Sequence, residues 1–387
     1  MKILIIANGI IGKNPGLSGG DVRFLEIAKY WAKSGQEIHL LSSQSAEKIC
    51  ANFGLKAILH IILGTEKTEK RRSFILRTLQ TMFFLPESLN SFREGIVYSV
   101  NDSLFDVIPA LRLKLRNRDK IKWAAVVHWL PPFPPWKRKK TTFSNSTLFF
   151  INERISAWLA NRFADILLPV SKMTALQLQE AGMNMKKVYP VKCGVNFKEI
   201  RRIVADVKEK KYDAVFMKRV QPVKGIFDLI DIWKRVVKQK ENAKLLIIGD
   251  VGDEEGKIEA VIKKENLEDN IEFAGYIFDV KEKFRRLAES RLFVLPSYEE
   301  NWAIAVGEAM AAGIPIIAYD LKELINIWKN HVVWIPLGET QAFARRILEY
   351  LDNQLILKGL LEENVEFIKS LEWENIAKEE LEVILRK

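Results

Sequence analysis

Short apolar runs alternate with longer amphipathic stretches over most of this chain. KILIIA (2–7), EIHLLS (37–42), ILHIIL (58–63), GIVYSV (95–100), WAAVVH (123–128) and DILLPV (165–170) have the length and composition of buried strands. Between most of them the apolar positions fall at helical spacing. Within 21–34, Phe24, Leu25, Ala28 and Trp31 share one face, and Asp21 stands where it can cap. Alternation of this kind predicts a doubly wound parallel sheet. The pattern then restarts with DAVFMKRV (213–220), AKLLIIGD (243–250), NIEFAGYI (270–277), RLFVLP (291–296), IPIIAY (314–319) and VVWIP (332–336). The expectation is an α/β chain of two Rossmann-like domains of similar size. The charged stretch FKEIRRIVADVKEKK reads as the linker, and the tail 338–387 as helical. Such sheets bind ligands beyond the carboxyl ends of their strands, and two of them facing each other make a cleft.

Length agrees with this division, since 387 residues exceed one ordinary hydrophobic core. A hydrophobic share of 48% with 28% charged residues fits a globular protein. No uncharged apolar run reaches the roughly 18 residues that a membrane span needs. MKILIIANGIIGKNPG reads as a first buried strand rather than a signal peptide. Cys50 and Cys193 lack metal or CxxC spacing, which favours a reducing, cytoplasmic setting. Charge is uneven. Residues 1–200 hold 30 Lys and Arg against 15 Asp and Glu, net +15; residues 201–387 hold 30 against 34, net −4. A basic first half implies a polyanionic partner.

Each half carries a distinctive loop after its first strand. IIGKNPGLSGGD (10–21) runs into a helix, and Gly19 and Gly20 can bring backbone amides close to an anion. It is not a GxGxxG loop. In MKRVQPVKGIFD (217–228), Arg219 and Lys224 flank a turn that opens a helix, an arrangement suited to a diphosphate. PSYEENWAIAVGEAMAAGIP (296–315) places Glu300 just before an apolar helix and Glu308 inside it. Carboxylates accept hydrogen bonds only, so two of them suit the hydroxyls of two sugars of one ligand. The alternative is that Glu308 pairs with a core Lys or Arg and Glu300 is a surface cap. His39 and His60 fall within strands and read as satisfied sheet histidines, and His331 as an exposed turn residue. His128 ends a strand, where it could serve a site or bond to backbone.

The stretch PSYEENWAIAVGEAMAAGIPIIA resembles the E-x7-E signature of retaining glycosyltransferases of family 4, which have the GT-B fold. LEIAKYWAKSGQEIHLLSS (25–43), WAAVVHWL, ADILLPVSKMTALQLQEAG (164–182), KVYPVKCGVNF (187–197), KRVQPVKG, LLIIGDVGDEEGKIE and IEFAGYI follow the family's landmarks in order. SLEWENIAKEELEVI resembles the family's terminal helix that crosses back onto the first domain. The resemblance implies residues 1–196 as an acceptor-binding domain, 197–370 as a nucleotide-sugar domain and 371–387 as the returning helix. Position by position, it implies that Glu308 binds the donor ribose and Glu300 the transferred sugar, with the amides of Asn301, Trp302 and Ala303. Arg219 and Lys224 would neutralise the leaving diphosphate, and Gly19 and Gly20 would touch it from the other domain. His128 would lie near the reacting centre, and Tyr276 and Ile277 near the base. It also implies metal-independent transfer from a UDP- or GDP-sugar with retention of configuration, and no cofactor. The chain departs from the family at Lys218, where Gly is usual, at Cys193 and Asn196, and at Trp302 and Ala303, where Phe and Gly are usual.

Two basic segments remain. EKRRSFILRTLQTMFFLP (69–86) has an apolar face beside Lys70, Arg71, Arg72 and Arg77. HWLPPFPPWKRKKTTF (128–143) sets Trp129, Phe133 and Trp136 beside Lys137, Arg138, Lys139 and Lys140. Aromatic residues next to a polybasic run suit the headgroups of an anionic membrane. They could equally pack on the sheet or line an acceptor pocket. The expectation is a peripheral enzyme on the inner membrane face with a lipid-linked or glycan acceptor and no nucleic-acid partner. Alternatives are an epimerase or phosphorylase on the same fold, or a non-catalytic scaffold that binds nucleotide or lipid.

Overall fold

The computed structural model describes residues 1–9, 17–62, 79–80, 82–131, 134, 143–353 and 364–386. The chain divides into two compact units, one of Met1–Arg138, Thr142–Cys193 and Trp373–Lys387, the other mainly Gly194–Glu372.

The first unit runs β1 (Lys2–Ile6), α1 (Gly19–Lys33), β2 (Glu37–Ser42), α2 (Ser45–Phe53), β3 (Ile58–Ile61), β4 (Gly95–Ser99), α3 (Leu104–Arg116), β5 (Ile121–Val127), α4 (Phe143–Phe163), β6 (Ile166–Pro169) and α5 (Lys172–Glu180). Its six strands are parallel in the order β3-β2-β1-β4-β5-β6. The order reverses between β1 and β4. Strands such as β1, with Ile3 to Ile6 almost fully buried, are apolar on both faces because helices cover both. α1 starts at a capping box: Ser18 is the cap and Asp21 closes it, donating nothing and accepting from the Ser18 amide at 2.8 Å. Asp21 is therefore the third helical residue and not the cap itself.

His39 and His60 are satisfied, as their strand positions suggest. Glu37 can only accept, so His39 Nε2 donates to it (2.8 Å) and His39 Nδ1 accepts from His60 Nε2 (2.9 Å). Ser88 then donates to His60 Nδ1 (2.9 Å). Burial, with His39 nearby, pushes the His60 pKa down to about 4, consistent with this neutral chain.

The second unit runs α6 (Phe197–Val204), β7 (Tyr212–Met217), α7 (Ile226–Val237), β8 (Leu245–Ile248), α8 (Glu255–Lys264), β9 (Ile271–Gly275), α9 (Val280–Ala288), β10 (Ser290–Leu295), α10 (Ile304–Ala311), β11 (Ile316–Tyr319), α11 (Lys322–Trp328), β12 (Val333–Ile335) and α12 (Thr340–Asp352). Its parallel order is β12-β11-β10-β7-β8-β9, reversing between β7 and β10. The stretch read as a linker is partly helix. α6 buries Ile200 and Val204, and the Phe197 amide donates to Glu372 (3.0 Å). His331 is not an exposed turn residue: it bonds Asn364 (2.7 Å) and stacks on Phe367.

The last helix, α13 (Trp373–Arg386), belongs to the first unit and packs on α1. Glu380 and Arg23 are both about 1% exposed and form an ion pair. Tyr98 donates to Glu380 (2.6 Å) and accepts from Arg23 Nη1 (2.8 Å), while Arg23 Nε donates to the Lys192 carbonyl (3.2 Å). Trp31 Nε1 donates to the Ala377 carbonyl (2.8 Å). Burial opposes the Arg23 charge, and Glu380 with Tyr98 outweighs it, so its pKa is raised.

Removing one partner of such a pair leaves a bare buried charge. Glu380→Ala should therefore cost roughly 3–5 kcal/mol in denaturant unfolding of the full chain. A loss below about 1 kcal/mol would show that the helix is held by its apolar contacts alone.

Candidate active site

Both loops that carry candidate chemistry in the second unit leave the sheet where its strand order reverses. Residues 218–225 follow β7 and residues 296–303 follow β10, its neighbour. Loops at such a point diverge and leave room for a ligand beyond the strand ends. Here they are stitched together. The Tyr298 amide donates to the Val223 carbonyl (3.0 Å), and Ser297 Oγ approaches the Lys224 carbonyl (3.4 Å). Gly225 has φ +79°, and a Cβ there would stand 1.8 Å from the Pro296 carbonyl oxygen, so no other residue fits. Asp228, at the start of α7, accepts from the hydroxyls of Tyr298 (2.6 Å) and Tyr319 (2.9 Å).

This stitching sets Glu300 between two lysines. Lys218 Nζ donates to Oε2 (2.9 Å), and Lys224 Nζ lies 3.1 Å from Oε1. Lys224 gives its well-aligned hydrogen bond to the Glu299 carbonyl (2.6 Å), so Oε1 keeps an ionic neighbour but no aligned donor among the described residues. Burial alone would push the Glu300 pKa up; Lys218 and then Lys224 outweigh it and hold it at about 2. Burial lowers the Lys224 pKa, Glu300 opposes that shift, and Lys218 adds to it. Arg219, between the lysines in sequence, is exposed. The structure therefore brings Lys224 and Glu300 together and adds Lys218, while Arg219 touches neither and lies close enough only for its charge to be felt at Lys224. Glu300 is not a surface cap.

Glu308 has a different neighbourhood. It lies on α10, half-buried, with Oε1 2.8 Å from Lys283 Nζ of α9. The apolar helix tolerates this carboxylate because a lysine from the preceding helix meets it. Lys283 also stands 4.2 Å from the centre of the Phe284 ring. α10 begins only at Ile304, so Asn301, Trp302 and Ala303 precede it and Glu300 is not at its first turn. Trp302 turns its ring inward against Trp328, whose Nε1 donates to the Trp302 carbonyl (2.8 Å). Ala303 has φ +57°, a left-handed conformation that costs a non-glycine residue about 1 kcal/mol. That is the position where the resembled family has Gly. Tyr276 and Ile277 follow β9, half-buried, with the Tyr276 ring 4.6 Å from that of Phe278.

In the first unit the reversal lies between β1 and β4, and the loops there gather a polar cluster. The His128 and Trp129 amides both donate to Asp102 (2.9 and 3.0 Å). The Val100 carbonyl can only accept, so His128 Nε2 is the protonated nitrogen in that 2.9 Å bond and Nδ1 is left as the acceptor. A Cβ on Gly20 would lie 3.1 Å from His128 Cε1 and Nε2, so α1 and this imidazole approach as closely as glycine allows. Glu153, buried beneath, has its pKa pushed up to about 10, first by burial and then by Asp102, and is a neutral acid at neutral pH. Asp102 and Glu153 escaped the sequence reading; the run of cations at 218, 219 and 224 in one short loop could have revealed Lys218. Phe133, Trp136, Lys137, Arg138, Lys139 and Lys140, and most of 69–86, lie outside the described residues.

Residues 197–370, which contain the whole lysine–glutamate site, match the sequence model of the family described as glycosyl transferases group 1. An uncharacterized glycosyltransferase of Methanocaldococcus jannaschii is 24% identical over 276 residues, 68% of this chain and 64% of that protein. The phosphatidyl-myo-inositol mannosyltransferase of Mycobacterium leprae is 25% identical over 166 residues, 42% of this chain and 43% of that protein. Both matches thus span less than two thirds of the relative. Among solved structures, Anabaena HepE in complex with UDP and glucose superposes with a TM-score of 0.75 over 99% of both chains at 15% identity. That likeness establishes the GT-B fold. Together the matches make the second unit similar to glycosyl transferases group 1 and the whole chain similar in fold to GT-B structures.

The Glu300 assignment has a pH signature. Its folded pKa is depressed, so its contribution is full above about 4.5 and is lost as pH falls toward about 2. Lost over that window is on the order of 3 kcal/mol. Glu300→Gln should flatten the acid limb of the stability profile between those pH values. An unchanged acid limb would mean that the carboxylate is not held by the lysines.

Proposed function

We propose that the chain is a retaining glycosyltransferase of family 4, moving a sugar from a nucleotide-diphospho-sugar to a lipid-linked or glycan acceptor at the inner face of a membrane. One observation carries the reading: two lysines and a buried carboxylate converge at the strand-order reversal of the matched segment, with exposed Arg219 on the same loop. Lys218, Arg219 and Lys224 supply positive charge where a diphosphate would leave, which is the charge that a divalent metal would otherwise bring. Transfer is then metal-independent and needs no cofactor. Glu300, kept ionised, accepts from hydroxyls of the transferred sugar, and Glu308 accepts from the ribose. Lys283 holds the Glu308 carboxylate in place. The leaving diphosphate takes the acceptor proton as the acceptor attacks from the same face, so catalysis rests on placement and on charge stabilisation. His128 Nδ1, with Gly19 and Gly20, serves the reacting end, and Tyr276 and Ile277 the base.

The UDP and glucose of the HepE complex favour such a donor. The phosphatidyl-myo-inositol acceptor in the mycobacterial name, with the +15 first half, favours a lipid-linked acceptor at an anionic surface. A second reading also has an observation behind it. Both glutamates already hold lysines, as in a structural ion-pair network. In that reading the fold is a binding scaffold, and Glu308 serves stability alone.

A thermal-shift screen with UDP-, GDP- and ADP-sugars separates the two. A donor at 100 times its dissociation constant adds about 2.7 kcal/mol. The expected result is one clear metal-free shift that Glu308→Ala abolishes together with transfer. A shift or turnover that survives Glu308→Ala would overturn the donor-site assignment.

A further inference from the structure

One helix of the first unit turns several large apolar residues outward. Among its described residues, the fully buried ones of α4 are Ser146, Glu153, Ser156, Ala157 and Ala160, each at most 2% exposed and none large and apolar; Leu159 and Phe163, near its carboxyl end, add partly buried apolar side chains to the core. The outward side carries Leu148, Ile151, Ile155 and Trp158, exposed at 68, 48, 44 and 60%. At about 100° per residue these four fall within one narrow stripe, roughly 15 Å long. Exposed Arg162 continues it at the carboxyl end. A surface helix ordinarily shows polar residues to water and apolar ones to the core. Helix propensity and packing gain nothing from this outward stripe, and a contiguous apolar stripe marks a surface made to be covered.

We infer that this stripe seats the first unit on an anionic bilayer, with α4 lying in the plane of the headgroups. The inference deepens the membrane part of the proposed function and rests on it, whereas the donor site does not enter. Charge selects the occupant. Lys137, Arg138, Lys139 and Lys140 stand shortly before α4 in sequence, and exposed Arg162 closes its far end. The first 200 residues are +15. A second copy docked by the same face would oppose two such halves and two polybasic runs, which repel. Anionic lipid attracts them, and aliphatic side chains with a tryptophan suit the boundary of headgroup and acyl chain. The Trp129 ring lies 6.0 Å from that of Phe149, which joins the loop after β5 to the same helix. No helix among the described residues is long and apolar enough to cross a membrane, so α4 lies on the bilayer and does not span it.

The test uses the full chain and sucrose-loaded vesicles of phosphatidylcholine, either pure or with about one third phosphatidylglycerol. Ile155→Gln with Trp158→Gln changes two exposed side chains and leaves Lys137 to Lys140 intact. The wild-type chain should sediment with the anionic vesicles, and the double variant should lose about tenfold in partitioning. Its nucleotide-sugar thermal shift should be unchanged. Brominated acyl chains should quench the wild-type fluorescence more than that of Trp158→Phe. Equal partitioning of variant and wild type would overturn the inference, as would equal binding to neutral vesicles. A wild-type dimer that ignores vesicles and is dissolved by the double variant would replace the bilayer with a second copy. Loss of the nucleotide-sugar shift with vesicle binding intact would fault the donor reading alone.

Discussion

A carboxylate only 5% exposed must be compensated, and the second unit is organised around how Glu300 is compensated. Lys218 comes from the strand that starts one half of the sheet and Glu300 from the strand that starts the other half. Their ion pair spans the line where the topology reverses. Because Gly225 lets the β7 loop approach the Pro296 carbonyl, Lys224 reaches the same carboxylate from its other side. Two lysines about one carboxylate leave a net positive charge at the strand ends, to which Arg219 adds. That surplus gives the loops a reason to meet an anion. It also keeps Glu300 ionised far below neutral pH.

The first unit uses a polar cluster of another kind at its own reversal. Asp102 holds the backbone after β5 by two amides, and neutral Glu153 lies beneath it. His128 is fixed by the Val100 carbonyl through Nε2. The returning helix α13 is fastened by the Arg23–Glu380–Tyr98 cluster, which is wholly buried and tied to α1. α4 shows what is left unfastened: its fully buried residues are small or polar, and Leu148, Ile151, Ile155 and Trp158 point outward while Leu159 and Phe163 pack inward.

The fold was legible because twelve short apolar runs became the twelve strands, with shifts of only a few residues at their ends. Parallel strands covered on both faces must be apolar throughout, so they stand out from the helices between them. The pairing of the site was only half legible. Glu300, Arg219 and Lys224 are visible as residues before and after turns, but Lys218 read as a departure from a family pattern, and its bond to Glu300 makes it part of the site. Lys283 is one of many lysines on amphipathic helices, and nothing local distinguishes it until α9 lies beside α10. The outward face of α4 was hidden for a related reason. A helix apolar on most sides gives no periodicity from which to tell the packed face from the open one.

The central claim is that the cationic loops around Glu300 receive a nucleotide diphosphate. The most direct measurement is a crystal structure of the chain with its best-binding nucleotide sugar. The expected structure has the diphosphate within hydrogen-bond distance of Arg219 and Lys224 and the ribose hydroxyls on Glu308. A nucleotide bound elsewhere, with the Lys218–Glu300 and Lys283–Glu308 pairs untouched by it, would overturn the assignment of this site to the donor.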